Sequence, residues 1–337
     1  MQKFIGVDLH KKTIVICVVN QAYQIIERRR FACCETQALA EWFAAQSPFE
    51  VVVEATASYE WFVQLVERHA SRVVLAHPGK LRVIAESTRK SDKVDAQVLA
   101  DFLARGMIPT AHRPTPRQRE HRRLVRHRHQ VQGRITSLKC RIRRMLSDYN
   151  ADRHDLFTKE GRAYAVGLKL LAADRFVLEE LWLSLDHQLQ RLHAAEKALR
   201  EFAKTDPPQG RRARRRLDTI PGVGEVTIDV FLAETADVRR FGSQKKLTAY
   251  AGLSPGYRES AGRRKDLGIT HRGSRLLRWV LVQAAWQLVR RDGRWQRIFE
   301  GLVKRRGKKK AIVAVARRLL CLMMAVVVND RPYQRAA

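Results

Sequence analysis

The sequence predicts an α/β N-terminal domain built on a mixed sheet, followed by a mostly helical second half. Apolar, β-branched runs alternate with amphipathic helical patterns up to residue 105. Beyond that point the helical period dominates. The basic charge divides the chain at the same place: of the formal net charge of +31, residues 1–104 contribute only +1, from 13 Lys and Arg against 12 Asp and Glu.

The first domain begins with three successive strands. Strands are predicted at 4–8, 13–19, 23–31, 50–54 and 72–76, and helices at 36–45, 59–69, 80–87 and 92–105. A three-stranded meander followed by alternating helices and strands predicts a mixed sheet with helices on both faces.

The second half contains two long helical patterns. The breaker Arg-Pro-Thr-Pro at 113–116 marks a boundary. Apolar residues between 124 and 145, and again between 178 and 202, recur close to a 3.5-residue period, which indicates a coiled-coil hairpin or a dimer seam. A linker at 206–210 precedes helices at 225–233, 243–251, 274–289 and 309–328. We therefore predict three segments, 1–110, 111–205 and 206–337.

The charge predicts a polyanionic partner. Residues 111–147 hold twelve Lys and Arg and a single acid, Glu120. This favours contact with a nucleic-acid backbone, with Arg126, Arg134 and Arg141 as candidates, over a merely solvated helix surface. Lys308 belongs to a basic segment at 304–310, predicted to be a loop, that either contacts nucleic acid or is simply solvated.

Other classes fit the sequence less well. Five scattered cysteines without metal-ligand spacing indicate reduced core thiols in a cytosolic protein. The first residues run directly into a strand pattern, so no signal peptide is expected. The apolar stretch at 312–328 is interrupted by Arg317 and Arg318, which indicates a buried helix and no membrane association.

Four carboxylates suggest metal chemistry. Asp8 lies in the first strand, Glu54 ends the fourth, and Asp92 and Asp95 share one face of a helix. Clustered carboxylates repel one another unless a cation neutralises them, and hard oxygen ligands select Mg²⁺ or Mn²⁺. Taken singly, the aspartates at the helix start are equally explained as an N-cap with a first-turn acid, and Glu54 as an ion pair at the sheet edge.

The contexts of these acids form three motifs. They are Phe-Ile-Gly-Val-Asp8-Leu-His, Val-Val-Glu54-Ala-Thr-Ala-Ser-Tyr and Lys-Ser-Asp92-Lys-Val-Asp95-Ala. Together they resemble the DEDD motifs of a bacterial insertion-sequence transposase family that also includes the Piv DNA invertases. The resemblance covers residues 4–105. It implies an RNase H-like (RuvC-like) fold for the first domain and makes the four acids metal ligands.

A glycine turn precedes one of the later helices. The run Ile-Pro-Gly222-Val-Gly224-Glu follows five arginines and resembles the helix-hairpin-helix turn of sequence-independent DNA binders. Glycines at a helix start let backbone N–H groups approach a phosphate. A plain turn that caps the helix is an equal alternative.

The segment 251–278 resembles the C-terminal domain of the same family. It has an AGL-x-P stretch, a turn with serine and glycine, and a Gly-Ser-x-x-Leu-Arg run. In bridge-RNA-guided members of the family the serine after Glu in that turn is the nucleophile, which implies Ser260. The segment Ser260-Ala-Gly has less serine and glycine than the family pattern, so Ser254 and Ser274 remain minor candidates.

The arginines near Ser260 are placed to hold a phosphate; they are Arg258, Arg263 and Arg264. None of them is a base, so activation has to come from the acidic site, which the resemblance implies is composite between subunits.

The resemblance implies a transposase or site-specific recombinase in the bacterial cytoplasm, associated with the nucleoid. Its partners would be double-stranded DNA at element ends and target, a structured guide RNA, and further copies of the chain in a homodimer or homotetramer. A metal-only nuclease of the Holliday-junction-resolvase type, using water, is the alternative enzyme. A non-catalytic nucleic-acid-binding protein is the alternative of another class.

Overall fold

The computed structural model describes residues 2–56, 58–84, 92–260 and 262–334. The chain forms two compact units, Met1–Arg113 and Pro114–Ala337. The three segments 1–110, 111–205 and 206–337 remain a prediction. Within the second unit, Val125 and Leu199 from the long helices belong to the same apolar core as the C-terminal helices.

The first unit is built on a five-stranded mixed sheet. Its strands are β1 Lys3–Leu9, β2 Thr13–Val19, β3 Ile25–Ala32, β4 Phe49–Glu54 and β5 Arg72–Ala76. Their order is β3-β2-β1-β4-β5; β1 pairs antiparallel with β2 and parallel with β4. β2–β3 is antiparallel and β4–β5 parallel. Each strand lies within two residues of its predicted position.

Helices cover both faces of this sheet, as predicted. They are α1 Thr36–Gln46, α2 Tyr59–Val66, α3 Pro78–Ile84 and α4 Asp92–Ala104. Strand side chains alternate between the faces. Ile5, Val7 and Val53 pack with α1 and α2, while Val15 and Val52 pack on the opposite face with α4.

Gly6 in β1 allows α4 to lie directly on the sheet. A Cβ added at Gly6 would be 2.1 Å from the carbonyl oxygen of Ala96 and 2.4 Å from the amide nitrogen of Ala100. Ala104, one turn further along α4, packs with Phe4. Since β1 and α4 run in opposite directions, the start of α4 lies toward the end of β1 that holds Asp8.

We expect Gly6→Ala to destabilise the first unit. The new methyl group cannot fit without moving helix backbone, and overpacking of this kind costs about 3 kcal/mol. Thermal unfolding of the full chain should show an earlier transition, and Gly79→Ala in the same unit is the matched control because a Cβ there meets only the His77 ring, at 3.6 Å. An unchanged melting curve for Gly6→Ala would contradict the close contact.

The second unit is mostly helical. Its helices are α5 Pro116–Ser147, α6 Lys159–Gly167, α7 Ala172–Lys204, α8 Pro208–Asp218, α9 Glu225–Thr235, α10 Gln244–Tyr250, α11 Arg275–Arg291, α12 Gly293–Arg306 and α13 Lys308–Val328. A 3₁₀ turn at Val238–Phe241 joins α9 to α10. Two strands, β6 Pro255–Ser260 and β7 Arg263–Ile269, pair as an antiparallel hairpin.

The long helices α5 and α7 pack against each other in opposite directions. Arg117 near the start of α5 bonds to the carbonyl oxygen of Phe202 near the end of α7. Arg128 pairs with Glu196, and Tyr149, just beyond α5, bonds to Asp174 at the start of α7. The predicted helical hairpin is therefore formed within one chain.

α13 is a core helix of the second unit. Ile312, Val315, Leu319 and Met323 on it are buried in the cluster that includes α9 and α11. Among the residues that the structure describes, it is the one helix long and apolar enough to cross a membrane by composition. Its burial is that of an interior helix, as predicted.

Three local predictions are wrong. The proposed linker 206–210 is mostly the first turn of α8, because Asp206 is held by Arg117 and Arg214 and the proline at 208 suits a helix start. The basic segment 304–310 is a helix end and a helix start separated by Gly307 at φ +74°, and not a loop. The β6–β7 hairpin lies in a region predicted to be mostly helical.

All five cysteines are free thiols, but they are not all in the core. Cys17 is buried, and burial raises the pKa of its thiol. Cys34 and Cys140 are exposed. The prediction of core thiols therefore fails for these two, because short apolar neighbours in sequence do not decide which face of an element is covered.

Candidate functional site

Asp8 and Glu54 lie side by side on one face of the sheet. Val7 is paired with Val53 in the parallel β1–β4 register, and the two acids follow that pair. Asp8 is two residues after Gly6 and Glu54 two residues after Val52; Gly6 and Val52 face α4, so both carboxylates extend on the α4 side. Neighbouring strands are about 4.8 Å apart, so these side chains are close neighbours.

Asp92 and Asp95 belong to the first turn of α4 on the same side. Asp92 is the first residue of α4, one turn before Ala96, whose carbonyl touches Gly6. The side chain of Asp92 lies outside the described residues. Asp95 is exposed. The backbone thus brings the helix start with its two acids toward the strand ends that hold Asp8 and Glu54.

Asp8 is mostly buried, with 16% of its side chain exposed, and has His10 as a close neighbour. The His10 Nε2 lies 3.0 Å from the Asp8 Oδ2. His10 was not predicted as a site residue; its position two residues after Asp8, just beyond the end of β1, was the available signal. Among the side chains described, no three His, Cys, Asp or Glu lie close enough together to hold a metal ion.

Ser260 lies at the tip of the β6–β7 hairpin. It pairs across the strands with Arg263, and Gly262, directly before Arg263, has φ +75°. Ser260 is exposed. The sequence placed it in a turn, and the structure places it at the end of a strand next to that turn.

Basic residues surround Ser260 on its face of the hairpin. Arg263 is directly opposite, and directly opposed side chains on one face are about 5 Å apart. Lys265, which sequence reasoning missed, is exposed and pairs in register with Arg258. Arg264 occupies the register position opposite Glu259, so it belongs to the other face. The side chains of Arg258 and Arg264 lie outside the described residues.

Arg278 fixes the base of this hairpin. Its Nη1 donates to the carbonyl oxygens of Ala251, Arg272 and Gly273 at 3.1, 3.3 and 3.2 Å. It is buried without a carboxylate partner among the described residues, and burial lowers the pKa of its guanidinium. Only glycine fits at 252 in the same contact, because a Cβ there would be 2.0 Å from the Arg272 carbonyl oxygen. Arg278 thus joins the Ala-Gly-Leu stretch at 251–253 to the Gly-Ser-x-x-Leu-Arg stretch at 273–278, and we call these contacts the Arg278 clamp.

The two minor candidate serines have structural partners. Ser274 is the N-cap of α11 and accepts a hydrogen bond from the Leu277 amide at 3.2 Å. Ser254 is half-buried and donates to the Thr248 Oγ1 at 3.4 Å. Neither is presented to solvent in the way that Ser260 is.

The glycine turn joins α8 to α9. Gly222 has φ +83° and packs on α11, where a Cβ would meet the Gln287 Cβ at 2.6 Å. Gly224 is the exposed N-cap of α9, with no side-chain cap and open space around it. Gly222 therefore has a packing role, and Gly224 is the residue whose surroundings leave room for a phosphate.

The basic stretch of α5 divides into paired and unpaired arginines. Arg126 makes a two-bond ion pair with Glu234, whose side chain is 3% exposed, and these hydrogen bonds raise the pKa of Arg126. Within 111–147 the arginines with an ion pair to a described residue include Arg113, Arg117, Arg126, Arg128 and Arg143. The acids that pair with these five arginines lie outside 111–147, so the count of bases within this segment overstates its uncompensated charge.

Three exposed arginines on α5, Arg123, Arg134 and Arg141, form what we call the arginine row. They are eleven and seven residues apart, close to whole helical turns, so they share one face. None makes an ion pair or hydrogen bond to a described residue. Lys308 is exposed at the start of α13, with its Nζ 5.7 Å from the ring centre of Trp286.

A buried ionic chain lies next to α5. Asp206 joins Arg117 at 2.6 Å to Arg214 at 2.5 Å, and Arg214 continues to Asp229, which contacts His121 at 3.0 Å. Burial acts to raise the pKa of Asp206, but the hydrogen bonds from the two arginines hold it below its ordinary value. Arg117 and Arg214 are thus paired with carboxylates inside the unit and do not present free cations to a ligand.

Comparisons with known proteins match both units. The family model described as "Transposase IS116/IS110/IS902 family" matches residues 214–300, and a DEDD transposase model of the IS110 type matches residues 5–151. The transposase for insertion sequence element IS1111A of Coxiella burnetii is 24% identical, over 99% of this chain and 92% of the relative.

Two further relatives align over nearly their whole lengths. A probable family 20 transposase of Pseudomonas aeruginosa is 24% identical, and a pilin gene-inverting protein of Moraxella bovis is 26% identical, each over 98% of both chains. The matched segments contain the acidic motifs in one case and the serine hairpin with its clamp in the other. The chain therefore belongs to the IS110-type family of DEDD insertion-sequence transposases, which includes the pilin gene-inverting proteins.

Proposed function

We propose that this protein is a transposase that cuts and rejoins DNA by transesterification, with a metal-binding acidic site in the first unit and Ser260 as the nucleophile. The observation that carries the proposal is the placement of Asp8 and Glu54 on adjacent strands, on the face that the start of α4 approaches. The motifs around Asp8 and Glu54, far apart in sequence, thus lie on neighbouring strands.

The first unit supports an RNase H-like, RuvC-like assignment. The sheet order β3-β2-β1-β4-β5, with three antiparallel strands followed by two parallel ones, has its acids at the ends of the central strands. Asp8, Glu54, Asp92 and Asp95 would hold Mg²⁺ or Mn²⁺, which selects hard carboxylate oxygens. When bound, such an ion stabilises the charge that develops on phosphodiester oxygens.

Ser260 would open the phosphodiester bond. Its Oγ attacks the phosphorus, a phosphoserine ester forms, and the displaced strand end leaves as a hydroxyl that takes up the serine proton. Attack by the hydroxyl of another strand end then reverses the step and restores Ser260. One ester bond replaces another each time, so no energy source is required. Arg263 and Lys265 would neutralise the phosphate during both steps.

The second unit would grip nucleic acid through its backbone phosphates. The arginine row spans about 27 Å, at about 1.5 Å per residue over the helix, and presents cations without internal partners. The α8–α9 turn, with Gly224 at the helix start, fits a helix-hairpin-helix contact with a phosphate. DNA at the element ends and target is the substrate, and a structured guide RNA is proposed from the family resemblance.

We expect Arg134→Ala and Arg141→Ala each to weaken binding of duplex DNA and to reduce its salt dependence. Each lost phosphate contact should lower the slope of log affinity against log salt by about 1. The slope is measured by fluorescence anisotropy over a salt series. Arg128→Ala is the matched control, since that side chain is paired with Glu196, and it should leave the slope unchanged. Unchanged slopes for both row variants would contradict the assignment.

Association of two copies is proposed through α7 and the residue before it. Large apolar side chains are exposed there: Leu171, the N-cap of α7, is 71% exposed, Phe176 65% and Leu183 62%. Phe176 and Leu183 are seven residues apart on α7 and share a face. An apolar stripe on a long helix is typical of a coiled-coil seam, so a homodimer, or a tetramer of two dimers, is the expected assembly in the cytoplasm.

The alternative is a nuclease of the Holliday-junction-resolvase type that uses water. The exposure of Ser260 beside Arg263 favours the serine reaction. The deciding test is to incubate the full chain with DNA carrying its element ends and Mg²⁺, denature it, and look for protein covalently attached to DNA. The proposal predicts an adduct, whereas hydrolysis by water predicts free cut ends.

A further inference from the structure

Trp279 is an exposed aromatic residue in the basic second unit. It lies on α11, where Leu276, Leu277 and Val280 are buried, yet 43% of Trp279 is exposed. A solvated indole on a helix whose other face is well packed is a stacking surface for a planar ligand.

The indole of Trp279 contacts a second aromatic ring. The ring of His129, on α5, has its centre 5.2 Å from that of Trp279, at an interplanar angle of 51°. His129 is half-buried, and its Nδ1 is buried without a hydrogen-bond partner in the part of the chain that the structure describes. The imidazole therefore packs against the indole, of which 43% remains accessible to a ligand.

Gly133 keeps the neighbouring helix surface bare. It lies one turn after His129 inside α5, is exposed, and a Cβ there would meet no atom within 4 Å. Glycine weakens a helix interior more than any residue except proline. The exposed backbone at Gly133 leaves room for a bound molecule to approach α5 closely.

Exposed cations lie on both helices. Arg275 is one turn before Trp279 on α11, and Arg134 of the arginine row is five residues after His129 on α5. Single-stranded nucleic acid is bound where aromatic side chains stack on its bases and exposed cations contact its phosphates.

We propose that Trp279, supported by His129 and bordered by Gly133, binds an unpaired nucleobase by stacking. Arg275 and Arg134 would contact the phosphates on either side of that base. The inference rests on the proposed function only in that the second unit binds nucleic acid; it does not depend on Ser260 or on the acidic site. An RNA loop and a melted DNA strand both present the required chemistry.

The test compares strands with and without bases. Fluorescence anisotropy of the full chain is measured with labelled oligothymidylate, oligouridylate and an abasic deoxyribose-phosphate strand of equal length. Trp279→Ala should lower affinity for the base-bearing strands by about 5- to 100-fold and leave the abasic strand within about twofold. Trp279→Phe should retain most of the affinity. The base-bearing strand with the larger loss identifies RNA or DNA as the natural source.

Gly133→Ala supplies a second, independent readout. The added methyl group should raise the melting temperature, since alanine favours a helix, and yet weaken binding of base-bearing strands several-fold. Equal binding losses for all three strands, or none for Trp279→Ala, would overturn the stacking site while leaving the backbone contacts intact. If the wild-type chain bound no strand at all, the nucleic-acid-binding function itself would fail.

Discussion

Replacement of Ser260 by alanine is expected to abolish the covalent protein–DNA adduct and with it strand exchange. Removing the attacking oxygen leaves positioning groups but no nucleophile, and losses of this kind reach about 10⁴-fold or more. The measurement is denaturing electrophoresis of labelled element-end DNA after incubation with the full chain and Mg²⁺. Because Ser260 is exposed at a hairpin tip, the variant should fold normally.

Two other serines provide matched controls. Ser254→Ala removes a half-buried hydroxyl from the same segment and should leave adduct formation intact. Ser274→Ala removes the α11 N-cap, so it should cost about 1 kcal/mol of stability but still permit the adduct. An adduct that persists in Ser260→Ala and disappears in either control would assign the nucleophile to another serine.

Substitution of Asp8 by asparagine is expected to abolish cleavage and to remove the stabilisation by Mg²⁺. The amide keeps the shape of the side chain but lacks the negative charge that binds a hard cation. We expect a loss of cleavage rate of about 10³-fold, equivalent to about 4 kcal/mol of barrier. The wild-type chain should gain about 1.4 kcal/mol of stability in Mg²⁺ at ten times its dissociation constant, and the variant almost none.

Thermal unfolding with and without Mg²⁺ checks the binding half of this prediction, and nicking of DNA checks the catalytic half. Glu50→Gln is the control, because Glu50 lies in the same strand as Glu54 but near its other end. A Mg²⁺-dependent shift that Asp8→Asn leaves unchanged would place the cation elsewhere. Loss of the shift with retained cleavage would separate the metal from the reaction.

The sheet was predictable because its strands are short apolar runs bounded by breakers. β2 and β4 are nearly continuous β-branched stretches, buried on both faces, and α4 begins at the aspartate that the pattern indicated. The β6–β7 hairpin was missed because it lacks this signal. Both its strands are exposed, with charges where an apolar alternation would show. Its stability comes from backbone pairing and from the clamp at its base.

The acids of the site were predictable, but the roles of several basic residues were not. Asp8 and Glu54 could be selected because a carboxylate at the end of an apolar strand is costly unless it is used. Arg126 and Arg134 look alike in sequence, yet one is paired with Glu234, more than a hundred residues away, and the other is not. Arg278 was likewise hidden, since its partners are backbone carbonyls that no side-chain pattern reveals.

The Arg278 clamp fixes the hairpin at its base, whereas the proposed nucleophile Ser260 lies at its tip. The clamp contacts lie between residues 251 and 254 and between 270 and 278, away from Ser260 at the other end of the hairpin. Changes near Ser260 thus barely alter the folded state, and natural selection can act on them for reactivity alone. The unusual Ser-Ala-Gly tip is the kind of variation that such independence permits.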